Sequence, residues 1–111
     1  LNEDRLRTAI GLAARAGKLA SGDTACQKAM RMHSAKLLLI DATASAGTQR
    51  RMIQLCQQYD VPYALVPAAC MAAQAAGRDT SKLFAIQEAN LAQMASEALS
   101  SVSGQTASGK E

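Results

Sequence analysis

Apolar residues recur along this chain at helical spacing in some segments and as short unbroken runs in others. Leu6, Ala9, Ile10 and Ala13 share one face of a helix expected over residues 4–16, which Gly17 ends. Residues 18–21 follow as a short strand. Ser21-Gly22-Asp23-Thr24 then has the chemistry of a helix start, with short polar side chains and a freely turning glycine. Helical steps from Thr24 place Thr24, Gln27, Lys28 and Arg31 on one face of this second helix. Ala25, Cys26, Ala29, Met32 and His33 take the opposite face, with Met30 at its edge. The helix therefore has a dry side for a sheet and a basic, hydroxyl-bearing side for an anionic partner.

Residues 36–41 predict a strand. Leu37, Leu38, Leu39 and Ile40 are apolar without a break, the pattern of a strand covered on both faces. The small residues 42–47 predict a loop. A third helix over residues 48–59 places Met52, Ile53, Leu55, Cys56 and Tyr59 on one face. Arg50, Arg51, Gln54, Gln57 and Gln58 take the other. Asp60 ends it, and Val61-Pro62 leads into a strand at 63–66 that Pro67 terminates. Residues 68–76 form a weakly patterned, alanine-rich helix ending at Gly77, followed by a polar loop at 78–82 and a fourth strand at 83–87. Asn90 is the expected cap of a last helix with Leu91, Met94, Ala95 and Ala98 facing inward. From Ser101 onward the polar composition predicts a disordered tail. Strands alternating with helices make a three-layer α/β/α sandwich in one domain at residues 4–100, without an internal repeat.

A chain of 111 residues suits one domain with a modest core. Its apolar content of 49% is rich in alanine, which favours close packing of small side chains. Aromatics make up only 3%, which argues against a base-stacking platform of the kind single-strand binders use. The net charge of +3 is a mild basic bias, compatible with RNA but shared with many solvated surfaces. Cys26, Cys56 and Cys70 are odd in number and form no CxxC pair, which removes zinc and thioredoxin-like readings. Cys26 and Cys56 fall on apolar helix faces, as reduced core residues do in a cytoplasmic protein. Neither a signal peptide nor a bilayer-length apolar run is visible, and the start at Leu1 reads as a trimmed initiator or tag.

The chain offers no catalytic constellation. Gly11 and Gly17-Lys18 resemble a phosphate loop, but five residues separate the glycines and Leu19 stands where a magnesium-binding hydroxyl is needed. No GxGxxG follows a strand. His33, the sole histidine, sits at a helix end, where an imidazole caps carbonyls. Asp23, Asp41, Asp60 and Asp79 lie at element ends, where aspartate is common anyway. Neither an enzyme activity nor a cofactor or metal is expected. Arg15, Lys18, Lys28, Arg31 and Lys36 fall within one contiguous stretch of the chain, and a solvated surface explains them as well as a binding face does. The Gly22 helix start favours anion binding.

GLAARAGKLASG at 11–22, Lys28 and Ala29, and SAKLLLID at 34–41 resemble the kink-turn RNA-binding ribosomal protein superfamily. This is the superfamily of L-seven-Ae, L-thirty-e and Gadd-forty-five. The run Cys56-Gln57-Gln58-Tyr59-Asp60-Val61-Pro62 is similar to its bacterial YlxQ-like branch especially, and the likeness spans residues 4–99. It implies an α/β/α sandwich with a mixed four-stranded sheet, and binding of structured RNA without catalysis. The RNA contacts it implies are the start of the second helix, the loop after the strand at 37–40 and the loop before the last strand. Gly22 matches the glycine that opens the helix, and Lys28 the lysine on its outer face. Thr24-Ala25 stands where kink-turn readers carry Asn-Glu, Ala42 replaces a glutamate, and Ala69 replaces a lysine. Arg78-Asp79-Thr80-Ser81-Lys82 replaces a loop that presents apolar residues to an extruded base. The features that position a phosphate backbone are kept, while the carboxylate that reads guanine is lost.

The RNA-binding residues expected on this basis are Lys18, Ser21, Gly22, Asp23, Thr24, Lys28, Arg31, Arg78, Thr80 and Lys82. The charges at 18, 28, 31, 78 and 82 are expected on one side of the molecule. The expected partner is structured RNA, ribosomal RNA included, for a monomeric ribosomal-type protein of a bacterial cytoplasm with no membrane partner. A protein-interaction module on the same fold is the alternative.

Overall fold

Asn2 starts the first helix, α1 (Glu3–Arg15), with its Oδ1 accepting from the Arg5 N–H at 3.1 Å. In this computed structural model, residues 2–67 and 82–100 are described. The expected helix at 68–76, Gly77, Cys70, the loop residues 78–81 and the tail from Ser101 lie outside the described residues. Gly17 follows α1 at φ +72°, which only glycine adopts without strain, and turns the chain into β1 (Leu19–Ser21). Then come α2 (Asp23–Arg31), β2 (Leu37–Asp41), α3 (Ala46–Tyr59), β3 (Tyr63–Val66), β4 (Leu83–Ile86) and α4 (Ala89–Ser100).

The strands form one mixed sheet in the order β1-β4-β2-β3. β4 is antiparallel to both its neighbours, and β2 runs parallel to β3. The unbroken apolar run at 37–40 is thus an interior strand, as its composition requires. Alternation along the strands divides the core in two. Leu37, Leu39, Ala64, Val66, Phe84 and Ile86 pack under α1 and α4. Leu38, Ile40, Leu83 and Ala85 pack under α2 and α3, with Cys26, Met30, Met52 and Cys56. This is the expected α/β/α sandwich. The small faces Ala9, Ala13, Ala92, Ala95 and Ala98 let α1 and α4 lie close on one side. An Arg5–Glu97 pair at 2.8 Å joins their exposed surfaces.

Three local expectations change. α2 ends at Arg31, so Met32 and His33 no longer follow the helical step. Met32 is 67% exposed, while Met30, expected at the edge, is fully buried. Met30 is covered because α3 packs beside α2 and widens its buried arc. His33 takes a left-handed conformation at φ +60° and meets the Tyr59 ring edge-on, with ring centres 6.4 Å apart. The expected loop at 42–47 is shorter, because Ser45 caps α3 by accepting from the Thr48 N–H at 3.1 Å. At α4 the capping role belongs to Glu88, whose carboxylate accepts from the Leu91 N–H at 2.7 Å, and Asn90 lies within the helix. A carboxylate one turn back satisfies the same free N–H groups.

Cys26 and Cys56 are free and buried, and burial pushes both thiols up to about 12. In a Cys70→Ser background, both should resist a thiol reagent at pH 8 and react once the chain is unfolded. Because the raised values favour the neutral thiols in the folded state, their contribution to stability is full below the unfolded thiol value and is lost as pH rises toward the folded one. Denaturant titration should also separate the two methionines. Met30→Ala should cost about 2–5 kcal/mol, and Met32→Ala about 0.5 kcal/mol or less.

Candidate nucleic-acid interface

One end of the sheet collects the expected contact segments through main-chain hydrogen bonds. The Gly22 N–H donates to the Leu83 carbonyl at 2.9 Å, and the Asp41 N–H donates to the Lys82 carbonyl at 2.8 Å. The Ala42 N–H donates to the Val66 carbonyl at 2.8 Å. The start of α2, the residue before β4, the turn after β2 and the end of β3 therefore form one continuous row. Both α2 and α3 begin at this end, because β1 and β2 run in the same direction and each leads into its helix there.

Gly22 opens α2 at φ 92° and ψ 168°, a conformation essentially reserved for glycine. No side chain caps the helix there. The first N–H groups of α2 and its positive dipole end therefore receive no cap from the residue that opens it. Asp23 occupies the first helical position, where a carboxylate suits the dipole. It is not free: Arg51 of α3 grips it, with Nη2 at 2.6 Å from Oδ2 and Nη1 at 3.1 Å from Oδ1. Gln27 also donates to Oδ1. The Arg51 hydrogen bond, helped by Gln27 and opposed by burial, holds the Asp23 carboxyl below the usual carboxylate range. The same bond raises the Arg51 guanidinium.

A second polar group braces the turn after β2. Asp41 is only 5% exposed, and its Oδ1 accepts from the Thr43 N–H at 2.7 Å and the Thr43 hydroxyl at 2.6 Å. Lys82 Nζ then donates to Thr43 Oγ1 at 3.1 Å. Gln49 Nε2 donates to the carbonyls of Ala42 and Ala44 at 3.1 and 2.9 Å. The turn is held from both sides, and Lys82 is fixed over it. Among the described residues no group of His, Cys, Asp or Glu is placed to hold a metal ion.

The candidate residues divide. Gly22, Asp23, Thr24 and Lys82 gather at this end, with Ser21 half-buried in β1 opposite Phe84. Thr24, Lys28 and Arg31 form the expected exposed stripe along α2. Lys28 also borders an open groove of about 450 Å³ beside β1, with Met32, Ser34 and Gln87. Lys18 is not at this end. Its carbonyl accepts from the Gln87 N–H at 2.8 Å, which places it at the other end of β1 from Gly22. The strand's rise separates the two by about 13 Å. Of the charges expected on one side, Lys82 lies at this end and Lys18 at the opposite end of β1. Arg78 and Thr80 lie outside the described residues. Arg51, Thr43 and Gln49 join the site without any sequence pattern that marks them as site residues. Helical spacing puts Arg51 on the polar face of α3, and only the packing of α3 beside α2 brings it to Asp23.

A helix-flanked mixed sheet with a glycine-opened helix at one end defines a recognisable class. Residues 4–96 match the Ribosomal protein L7Ae/L30e/S12e/Gadd45 family, and the chain belongs to it. The chain is 31% identical over 83 residues to the RNA-binding protein YlxQ of Bacillus subtilis (strain 168), a stretch covering 75% of this chain and 83% of that protein. Among solved structures it resembles a protein of unknown function from Bacillus halodurans C, with a TM-score of 0.78 and 21% identity over 85% of this chain and 95% of that one. It also resembles the Giardia lamblia 15.5kD RNA binding protein, with a TM-score of 0.70 and 17% identity over 90% and 86% of the two chains. These two likenesses establish the fold. The family is non-enzymatic, in keeping with the expected lack of catalysis. No described helix is long and apolar enough to cross a membrane.

The Asp23–Arg51 pair should be visible in a pH titration followed by NMR. The Asp23 carboxyl should titrate below the usual aspartate range in the parent protein and return to it in Arg51→Gln. The stability it contributes should be present above the unfolded carboxylate value and lost as pH falls through the folded one. Both side chains are nearly half exposed, so the loss should stay under about 1 kcal/mol.

Proposed function

We propose that this chain binds structured RNA through the end of the sheet where Gly22, Lys82 and the Asp41–Thr43 turn meet. One observation carries this reading: Leu83 of β4 hydrogen-bonds Gly22 at the start of α2, and Lys82 just before it hydrogen-bonds Asp41 at the end of β2. An anionic backbone at that row meets the opening N–H groups of α2, its dipole and Lys82. Thr24, Lys28 and Arg31 continue the contact along α2, and the names of the YlxQ and 15.5kD relatives support RNA as the partner. Phosphate contacts dominate this surface, so it favours shape and backbone over base sequence. The binding unit is one domain over residues 4–100. It acts as a monomer in the cytoplasm, in a ribosomal or ribosome-associated role, with no cofactor.

Titration against a kink-turn RNA and a plain duplex tests this across salt concentrations. Affinity should fall steeply with salt, and Lys28→Ala and Lys82→Ala should each lower the log–log slope by about one. Both variants should weaken the two RNAs alike. Thr24→Asn with Ala25→Glu adds a polar pair able to reach base edges, and should favour the kink-turn over the duplex. Absence of salt-sensitive binding to either RNA would overturn the proposal and favour a protein-interaction module.

A further inference from the structure

Asp23 and Arg51 belong to different helices, yet they meet at the opening of α2 as a two-pronged pair. Gln27 adds an amide N–H to the same carboxylate. A guanidinium fork with a neighbouring amide donor is a set that takes a phosphate as readily as a carboxylate. The side chains of Asp23 and Arg51 are 40% and 45% exposed, so an incoming group can reach both. Arg51 does not depend on Asp23 alone for its place, because its Nη1 also lies 3.6 Å from Sδ of the buried Met52. An exposed pair of this kind is weakly held, so a polyanion can displace it.

We propose that the Asp23 carboxylate stands in a phosphate position of the RNA site and limits its affinity. It neutralises Arg51 in the free protein, and RNA must displace it to gain the guanidinium. The inference rests on the RNA reading above and adds Arg51 as a contact and Asp23 as its competitor. Replacing Asp23 by a neutral residue should therefore tighten binding, and the gain should depend on Arg51.

The test is a double-mutant cycle of Asp23→Asn, Arg51→Gln and the double variant against the kink-turn RNA and the duplex. Asp23→Ser serves as a second replacement, since serine also suits a helix start. Thermal unfolding checks that each variant folds. Asp23→Asn should tighten both RNAs by a similar factor and steepen the salt slope by about one, so its advantage should shrink about fourfold between 50 and 200 mM salt. In the Arg51→Gln background the same change should give a much smaller gain. Parent protein that binds RNA, with no gain on neutralising Asp23, would overturn this inference and leave the RNA reading standing. So would an equal gain with and without Arg51, since that reports only a general change of charge. Failure of every folded variant to bind would overturn both.

Discussion

The structure depends on β4 lying antiparallel between β1 and β2. It is the strand that turns two separate strand–helix units into one sheet. Its residues Leu83, Phe84, Ala85 and Ile86 are all buried, with alternate side chains serving opposite cores. Its main chain also reaches both segments of the candidate site, through Leu83 to Gly22 and through Lys82 to Asp41. A displaced β4 would expose both cores and separate the opening of α2 from the turn after β2. Stability and site geometry therefore rest on the same backbone hydrogen bonds.

The apolar run at 37–40 and the helical spacing of Leu6, Ala9, Ile10 and Ala13 were legible because burial alone dictates such patterns. Element ends were harder to read. Met32 and His33 continue the apolar pattern of α2, but the helix has already ended at Arg31, and no local preference marks that point strongly. Ser45 was a legible cap hidden in a run of small residues, and Glu88 caps α4 with a carboxylate more usual inside a first turn.

The site was legible where it is local. Gly22 and the stripe Thr24, Lys28 and Arg31 follow from residues within one helix. Pairings between elements were not. The grip of Arg51 on Asp23 and the chain from Lys82 through Thr43 to Asp41 link residues far apart in sequence. Both arise from packing, which single-element patterns do not encode. The position of Lys18 shows the reverse. The resemblance groups Lys18 with the charges of the RNA face, but an extended strand carries Lys18 to the end of β1 away from Gly22.

The place of β4 in the sheet also sets the order in which the molecule can assemble. β2 and β3 lie close in sequence and pair directly, so that half can form early. β1 touches neither, and joins the sheet only through a strand some sixty residues further along the chain. Pairing across such separations is slow relative to local contacts. On a ribosome, residues 83–86 must leave the exit tunnel before β1 and β2 can be bridged. Until then the nascent chain carries α1, α2, α3 and the β2–β3 half of the sheet, and the surface made by joining Gly22 to Asp41 does not yet exist.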